Sequence, residues 1–204
     1  MRDLDRALAD ISEIRSQIAR GASFRGYGAA TLAATGVFAV AGGVAQARLV
    51  PDPLADPVGY VALWAVTAAL SLAVIAAETI ARSRREHSGM AQEMLLNAVE
   101  QFLPAGIAGV LLTAVLLRFA PETVWMLPGL WQVVFALGVF ASCRFLPRPM
   151  LLVGGWYLAS ALGCLVLARG ANALSPWAMG AAFGVGQLLV AAILQLDAWR
   201  SRHG

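Results

Sequence analysis

Ionisable side chains inside an apolar helix are where chemistry is to be sought in a chain of this kind, because leaving a charge in hydrocarbon is costly. Glu78, Glu100, Arg144 and Asp197 fall near the ends of long apolar runs, and Arg25 flanks another. At a helical rise of about 1.5 Å per residue, all five belong to one layer near the ends of their runs. No Asp, Glu, His, Lys or Arg lies at the middle of any run. A proton relay needs titratable groups through the core, so this distribution disfavours pumping. Two uses of the layer stay open. Glu78 and Glu100 can pair with Arg144 or Arg25 as an interfacial charge network. Alternatively, Glu93, Asn97, Glu100 and Pro104 recur at spacings of four, three and four, which puts them on one helix face. Gln101 lies beside that stripe, and Pro104 leaves a backbone carbonyl without its amide partner. The stripe could line a cavity for a polar head group or small solute, or simply be the start of a helix that begins in water.

Other chemistries find little support. His87 and His203 lie outside the apolar runs and have no ligand-spaced Cys or His partner, so no metal or haem is expected. Cys143 and Cys164 sit on successive runs, at an axial offset on the order of 15 Å, too far for a disulfide, and read as apolar helix residues. No glycine-rich phosphate loop and no G-x-S-x-G elbow occurs, no nucleophile–base pair is evident, and neither catalytic residues nor a cofactor are expected. All 15 basic residues are Arg. Together with the abundance of Ala, this reads as compositional bias of a source such as a GC-rich bacterium, and no nucleic-acid partner is expected.

The elements that must position these residues follow from hydropathy. The chain has 204 residues, 59% of them hydrophobic and only 13% charged, with mean hydropathy +0.71. A soluble domain carries about a quarter charged residues. Six apolar runs, each long enough to cross a bilayer, cover 28–47, 58–81, 95–119, 128–146, 150–168 and 177–198. Breakers separate them: Pro51, Pro53 and Pro57, then Ser88-Gly89, Pro121, Pro128, Pro147 and Pro149, with Pro176 opening the last helix. Only Pro104 falls inside a span. Twelve Arg residues lie in the N-terminal segment, the second and fourth connections and the tail, against Arg48, Arg118 and Arg169 on the other side. The Arg-rich side is therefore expected in the cytoplasm, with both termini there, and the bilayer of a bacterial inner membrane is the expected environment. Ala45-Gln46-Ala47 imitates a signal cleavage site, but Asp3, Asp5, Asp10 and Glu13 precede an apolar run longer than the roughly 7–15 residues of a signal segment.

Residues 3–20 form a separate element. Leu4, Leu8, Ile11, Ile14 and Ile18 recur at three and four, giving one apolar stripe on an otherwise charge-balanced helix. A helix built for anionic lipid would be enriched in basic residues. This stripe is expected to dock on protein, either the chain's own bundle or a cytoplasmic or membrane partner. The two halves of the bundle also align as a 3+3 repeat, with Trp64 on Trp156, Gly36-Val37-Phe38-Ala39 on Gly138-Val139-Phe140-Ala141, and Gly106 on Gly184. In this topology the repeat is inverted, an arrangement known in transporters; Ala, Leu, Gly and Val dominate every span, so such matches arise readily. Gly180 and Gly184 on helix 6, and Gly155, Ala159 and Gly163 on helix 5, permit close helix approach, within the chain or in a homo-oligomer. Trp125, Trp131, Trp156, Trp177 and Trp199 lie near span ends, where aromatic belts form.

The stretches Arg25-Gly26-Tyr27-Gly28, Leu127-Pro128-Gly129-Leu130-Trp131 and Phe145-Leu146-Pro147-Arg148-Pro149 resemble segments of bacterial multi-pass inner-membrane proteins that have no assigned activity. The resemblance implies a membrane bundle and carries no chemistry with it. The expected protein is an all-α bundle of six transmembrane helices over 26–199, preceded by a cytoplasmic amphipathic helix over 1–25 and followed by a short tail. Its expected function is that of a non-enzymatic scaffold or sensor engaging a protein partner on the cytoplasmic side. The alternative is a small-solute or lipid transporter with a cytoplasm-facing cavity near Glu100.

Overall fold

The computed structural model describes residues 28–83, 89–143 and 148–203. They are helical, with no strand among them, and six of the helices are long and apolar enough to cross a membrane. In chain order these are α1 (Ala29–Leu49), α2 (Pro57–Ser83), α3 (Gly89–Phe119), α4 (Leu127–Ser142), α5 (Met150–Leu167) and α6 (Pro176–His203). The amphipathic segment carrying Leu4, Leu8, Ile11, Ile14 and Ile18 lies outside the described residues.

The boundaries differ most from the expected runs at the start of α3, at both ends of the fourth span and at the end of α6, which continues to His203. Helix α3 begins at Gly89, about a turn and a half before its apolar run, since backbone hydrogen bonding continues where the hydrophobic sequence has not yet begun. The fourth span starts earlier than expected too: Pro121–Met126 forms a 3-10 turn that feeds α4, and the apolar stretch runs Pro121–Ser142. Pro121 does separate the two spans, since α3 ends at Phe119, and it also opens the new turn, because at a first-turn position its missing amide costs nothing. The span closes when the Ser142 hydroxyl donates to the Gly138 carbonyl and the Cys143 amide bonds Phe140. Both cysteines are free.

Packing is uneven. Helix α1 packs most extensively on α6, α4 on α5 and on α3, and α2 on α1. Only 6% of the third span and 11% of the second are buried, so α2 and α3 present most of their surface outward. The α1–α6 contact is a backbone contact. A Cβ on Gly36 would stand 3.1 Å from the Gly184 carbonyl oxygen, and one on Gly43 would stand 3.5 Å from the Gly180 Cα. The Gly180–Gly184 face is therefore used within the chain. By contrast, a Cβ on Gly155 or Gly163 would meet nothing within 4 Å.

Two buried clusters fill the bundle. Toward the Arg-poor end, Tyr60, Trp64, Val124, Leu127, Leu174 and Met179 pack together. Further along, Leu32, Ala136, Met150, Val153, Tyr157 and Leu194 form the second. Aromatic rings interlock between them: Phe135 meets Tyr157 at 4.6 Å and Phe183 at 5.1 Å, and Phe102 meets Phe135 edge-on at 5.0 Å. Offset and edge contacts at these distances are the favoured geometry for aromatic pairs.

Candidate functional site

Of the layer of charges at the Arg-rich end, the described residues include Glu78, Glu100 and Asp197, with Gln101 beside Glu100. Glu78 is half-buried on α2, and its Oε2 accepts the Gly28 backbone amide at 3.3 Å. Gly28 is the N-cap of α1 and has no side chain to cap with. A carboxylate from the neighbouring helix thus meets the positive end of α1, as the third residue of a capping box does from within its own helix. Glu78 reads as a staple between α1 and α2. Glu78→Ala should lower the thermal midpoint by an amount equivalent to about 0.5–1 kcal/mol. Glu78→Gln should recover part of the loss, because an amide oxygen still accepts the bond. Equal stability of the alanine variant and wild type in detergent melts would remove this role.

Glu100 and Gln101 are exposed on α3, and Asp197 is half-buried on α6. The α3–α6 crossing is not among the extensive helix contacts. The side chain of Asn97, and Arg144 as a whole, fall outside what is described, as do the stripe residues of 3–20.

Sequence reading missed a second set of polar residues, deep inside the bundle. Gln46 on α1 is fully buried; its Nε2 donates to the Leu174 carbonyl at 2.7 Å, and its Oε1 accepts the Trp64 indole N–H at 2.9 Å. Leu174 has φ of 54°, a left-handed conformation that L residues adopt at a cost of about 1–2 kcal/mol. Its side chain is fully buried, so burial and the Gln46 bond together hold the strained turn between α5 and α6. Gln132 on α4 makes a similar junction: its Nε2 donates to Ala178 on α6 at 2.9 Å, and its Oε1 accepts the Ser160 hydroxyl at 2.6 Å. Trp156 donates to the Ala182 carbonyl at 2.9 Å, and Trp131 to the Thr113 hydroxyl at 2.8 Å. Trp131 and Trp156 are thus ties between helices, whereas Trp177 and Trp199 are exposed. Thr35, Thr67, Ser71, Thr79 and Thr113 donate to carbonyls three or four residues back in their own helices, as helical hydroxyls tend to.

A groove of about 360 Å³ runs between α5 and α6 over the Gln132 junction. It is lined in the spans by Trp156, Ser160, Gly163, Cys164, Ala181 and Val185, and in the connection between them by Asn172 and Ser175. Its hydrogen-bonding groups at depth are spoken for, since Ser160 bonds Gln132 and Trp156 bonds Ala182. The signal for this site was present as isolated glutamines in apolar runs, each of which needs partners when buried in hydrocarbon. Among the described residues no group of three or more His, Cys, Asp or Glu could hold a metal ion. No family model, curated protein or solved structure matches the chain.

Proposed function

We propose that this chain is a non-enzymatic scaffold or sensor of a bacterial inner membrane, with both termini in the cytoplasm, that engages a protein partner through residues 3–20 and the Arg82–Arg85 loop. The observation that carries this reading is the closed centre of the bundle. Phe102, Phe135, Tyr157 and Phe183 interlock there, and the amides of Gln46 and Gln132 are tied to α2, α5 and α6 rather than turned toward an open path. A solute or proton route needs polar groups along a wet passage. A helix whose apolar stripe is flanked by balanced charge suits docking on protein, and the twelve Arg residues on its side of the membrane set the orientation.

The test is affinity capture from solubilised membranes with the full chain, a chain lacking residues 1–22, and the full chain carrying Ile11→Glu and Ile14→Glu. The partner recovered with the full chain should be lost from both variants, while the bundle itself is recovered at equal yield. Identical interactors from all three would count against a docking role for the stripe.

The transporter alternative draws on the inverted 3+3 repeat. Exchanging α1 with α4 and α3 with α6 maps the α1–α6 packing onto α4–α3, and α1–α2 onto α4–α5. The glycine contact follows in near register: Gly36 lies against Gly184, and a Cβ on Gly138 would meet Phe102 and Ala105, next to Gly106. These pairings support the repeat. The amides of Gln46 and Gln132 are bonded within the protein, which favours the scaffold reading over transport.

A further inference from the structure

We infer that residues 3–20 dock on the chain itself, against the part of α3 that runs on past the end of α4. This placement rests on the reading of 3–20 as a docking helix and adds where that helix sits while no partner holds it. Four contacts fix how α3 lies on α4. Thr113 accepts the Trp131 indole N–H, and Phe102 meets Phe135. A Cβ on Gly109 would meet Val134, and one on Gly138 would meet Phe102 and Ala105. The helices are therefore antiparallel, and on that register Ser142, the last residue of α4, lies level with the turn around Glu100. Helix α3 runs on for about ten residues more, back to Gly89, roughly 15 Å. It packs extensively only on α4 and on the turn that feeds α4, so this stretch stands beyond its main neighbour.

By helical register, Met90, Ala91, Met94, Leu95 and Ala98 share one side of α3, and Gln92, Glu93, Asn97 and Glu100 share the other. The apolar side is the one on which Phe102, Ala105, Gly109 and Thr113 meet α4. The stripe that α4 covers inside the bundle thus continues where α4 has stopped. The chain carries a matching piece next to it. Residues 3–20 join α1 through 21–27, and α1 begins beside the end of α4, since Ala29 and Leu32 share a buried cluster with Val139 and Cys143. The exit point is held, because the Gly28 amide is bonded to Glu78. Packed helices lie about 8–10 Å apart, which puts α3 about 16–20 Å from that exit, across α4. Seven extended residues span about 23 Å, so the tether reaches. Ile11, Ile14 and Ile18 cover about 10 Å of helix, close to the roughly 12 Å from Met90 to Ala98. Both segments run toward the bundle and pair in parallel. A short tether gives an effective concentration on the order of millimolar, so self-docking is the resting state that a partner must displace.

The experiment places the photoreactive residue p-benzoylphenylalanine at position 14, in place of Ile14, in the full chain reconstituted in phosphatidylethanolamine–phosphatidylglycerol vesicles. Cross-links are mapped by peptide mass spectrometry. Irradiation should join position 14 to residues 89–98 of the same chain, in a product that migrates as a monomer. The same probe in place of Ser16, off the stripe, should give little of that product. Met90→Glu together with Met94→Glu should cut the position-14 product by about tenfold or more, because docking would then have to bury charge. Gln92→Glu, on the other side of α3, should leave it unchanged. Positions 90 and 94 lie past the end of α4, and equal monodisperse yield shows that the bundle is intact. Cross-links from position 14 to lipid, to a second copy or to another helix overturn the docking, as does a product that the paired glutamates leave unchanged. Partner capture reads out separately. A chain that forms the internal cross-link but captures no partner upholds the docking and sinks only the partner reading; a chain that captures a partner through the stripe and forms no such cross-link does the reverse.

Discussion

Gly36→Leu and Gly180→Leu should each prevent recovery of monodisperse folded protein, while Gly155→Leu and Gly106→Leu should be recovered at wild-type yield. All four positions are glycines in apolar helices, so composition and propensity do not separate them. Their neighbours do. A Cβ on Gly36 would lie 3.1 Å from the Gly184 carbonyl oxygen and 3.2 Å from the Gln187 Cβ; on Gly180 it would lie 3.3 Å from the Ala39 carbonyl oxygen and 3.4 Å from the Gly43 Cα. Several of these atoms are backbone, which cannot rotate aside as the tip of a long side chain can. A leucine adds three further carbons, and the two helices must separate to admit them. Overpacking a core costs roughly 1–3 kcal/mol where side chains can adjust. Here the most extensive helix contact in the bundle is pushed apart, and in lipid, helix association rests on close packing rather than on hydrophobic burial. The loss should therefore exceed that range. At Gly155 and Gly106 a Cβ meets nothing within 4 Å, so an added side chain simply replaces lipid contacts. Yield after size exclusion and the thermal midpoint in detergent measure the contrast. A Gly36→Leu protein as stable as Gly155→Leu would show that α1 and α6 do not approach as described.

The spans were legible because a bilayer imposes a length that few other environments demand: about 20 apolar residues between breakers, six times over. Hydropathy reports where the helix meets lipid, not where it begins. That is why α3 starts at Gly89, before its apolar run, and why Pro121–Met126 could be taken for a loop when it is the first turn of the fourth span. Small-residue spacing was legible as a capacity for close contact, but spacing alone does not say which face is used. Gly180 and Gly184 are filled by α1, and the equivalent pattern at Gly155 and Gly163 is left open, because the choice depends on which helices are neighbours. The polar junctions were harder still. Gln46 finds its partners on Trp64 and on Leu174, 128 residues away, and nothing periodic in either run announces the pairing. Glu78 stood out as an ionisable group near the end of its apolar run; its capping of α1 did not, since that depends on α2 running back beside α1. The stripe over 3–20, Asn97 and Arg144 remain sequence-level expectations.

The second large effect is expected at the Gln46 junction. Gln46→Leu is close to isosteric, creates no cavity and adds no charge, yet it removes two bonds at once, to Leu174 at 2.7 Å and from Trp64 at 2.9 Å. Side-chain hydrogen bonds measured in a helical membrane protein average about 0.6 kcal/mol, which would put the loss of two at little more than 1 kcal/mol. The groups left behind cost more. Trp64 is 5% exposed and Leu174 is fully buried, so an indole N–H and a carbonyl lose their partners where water does not reach them. Each orphaned group costs about 1–3 kcal/mol. A total of about 2–6 kcal/mol follows, and the strained Leu174 turn loses one of its two restraints. A double-mutant cycle separates the lost bonds from the orphaned groups. Trp64→Phe alone removes one bond and the donor together, and should be the milder change. In the presence of Gln46→Leu it should cost less than on its own, or even stabilise, because it deletes the orphaned N–H. Strict additivity of the two substitutions in equilibrium denaturation would mean that Trp64 finds water or another acceptor, and that the clamp between α1, α2 and the α5–α6 turn is not what holds that end of the bundle.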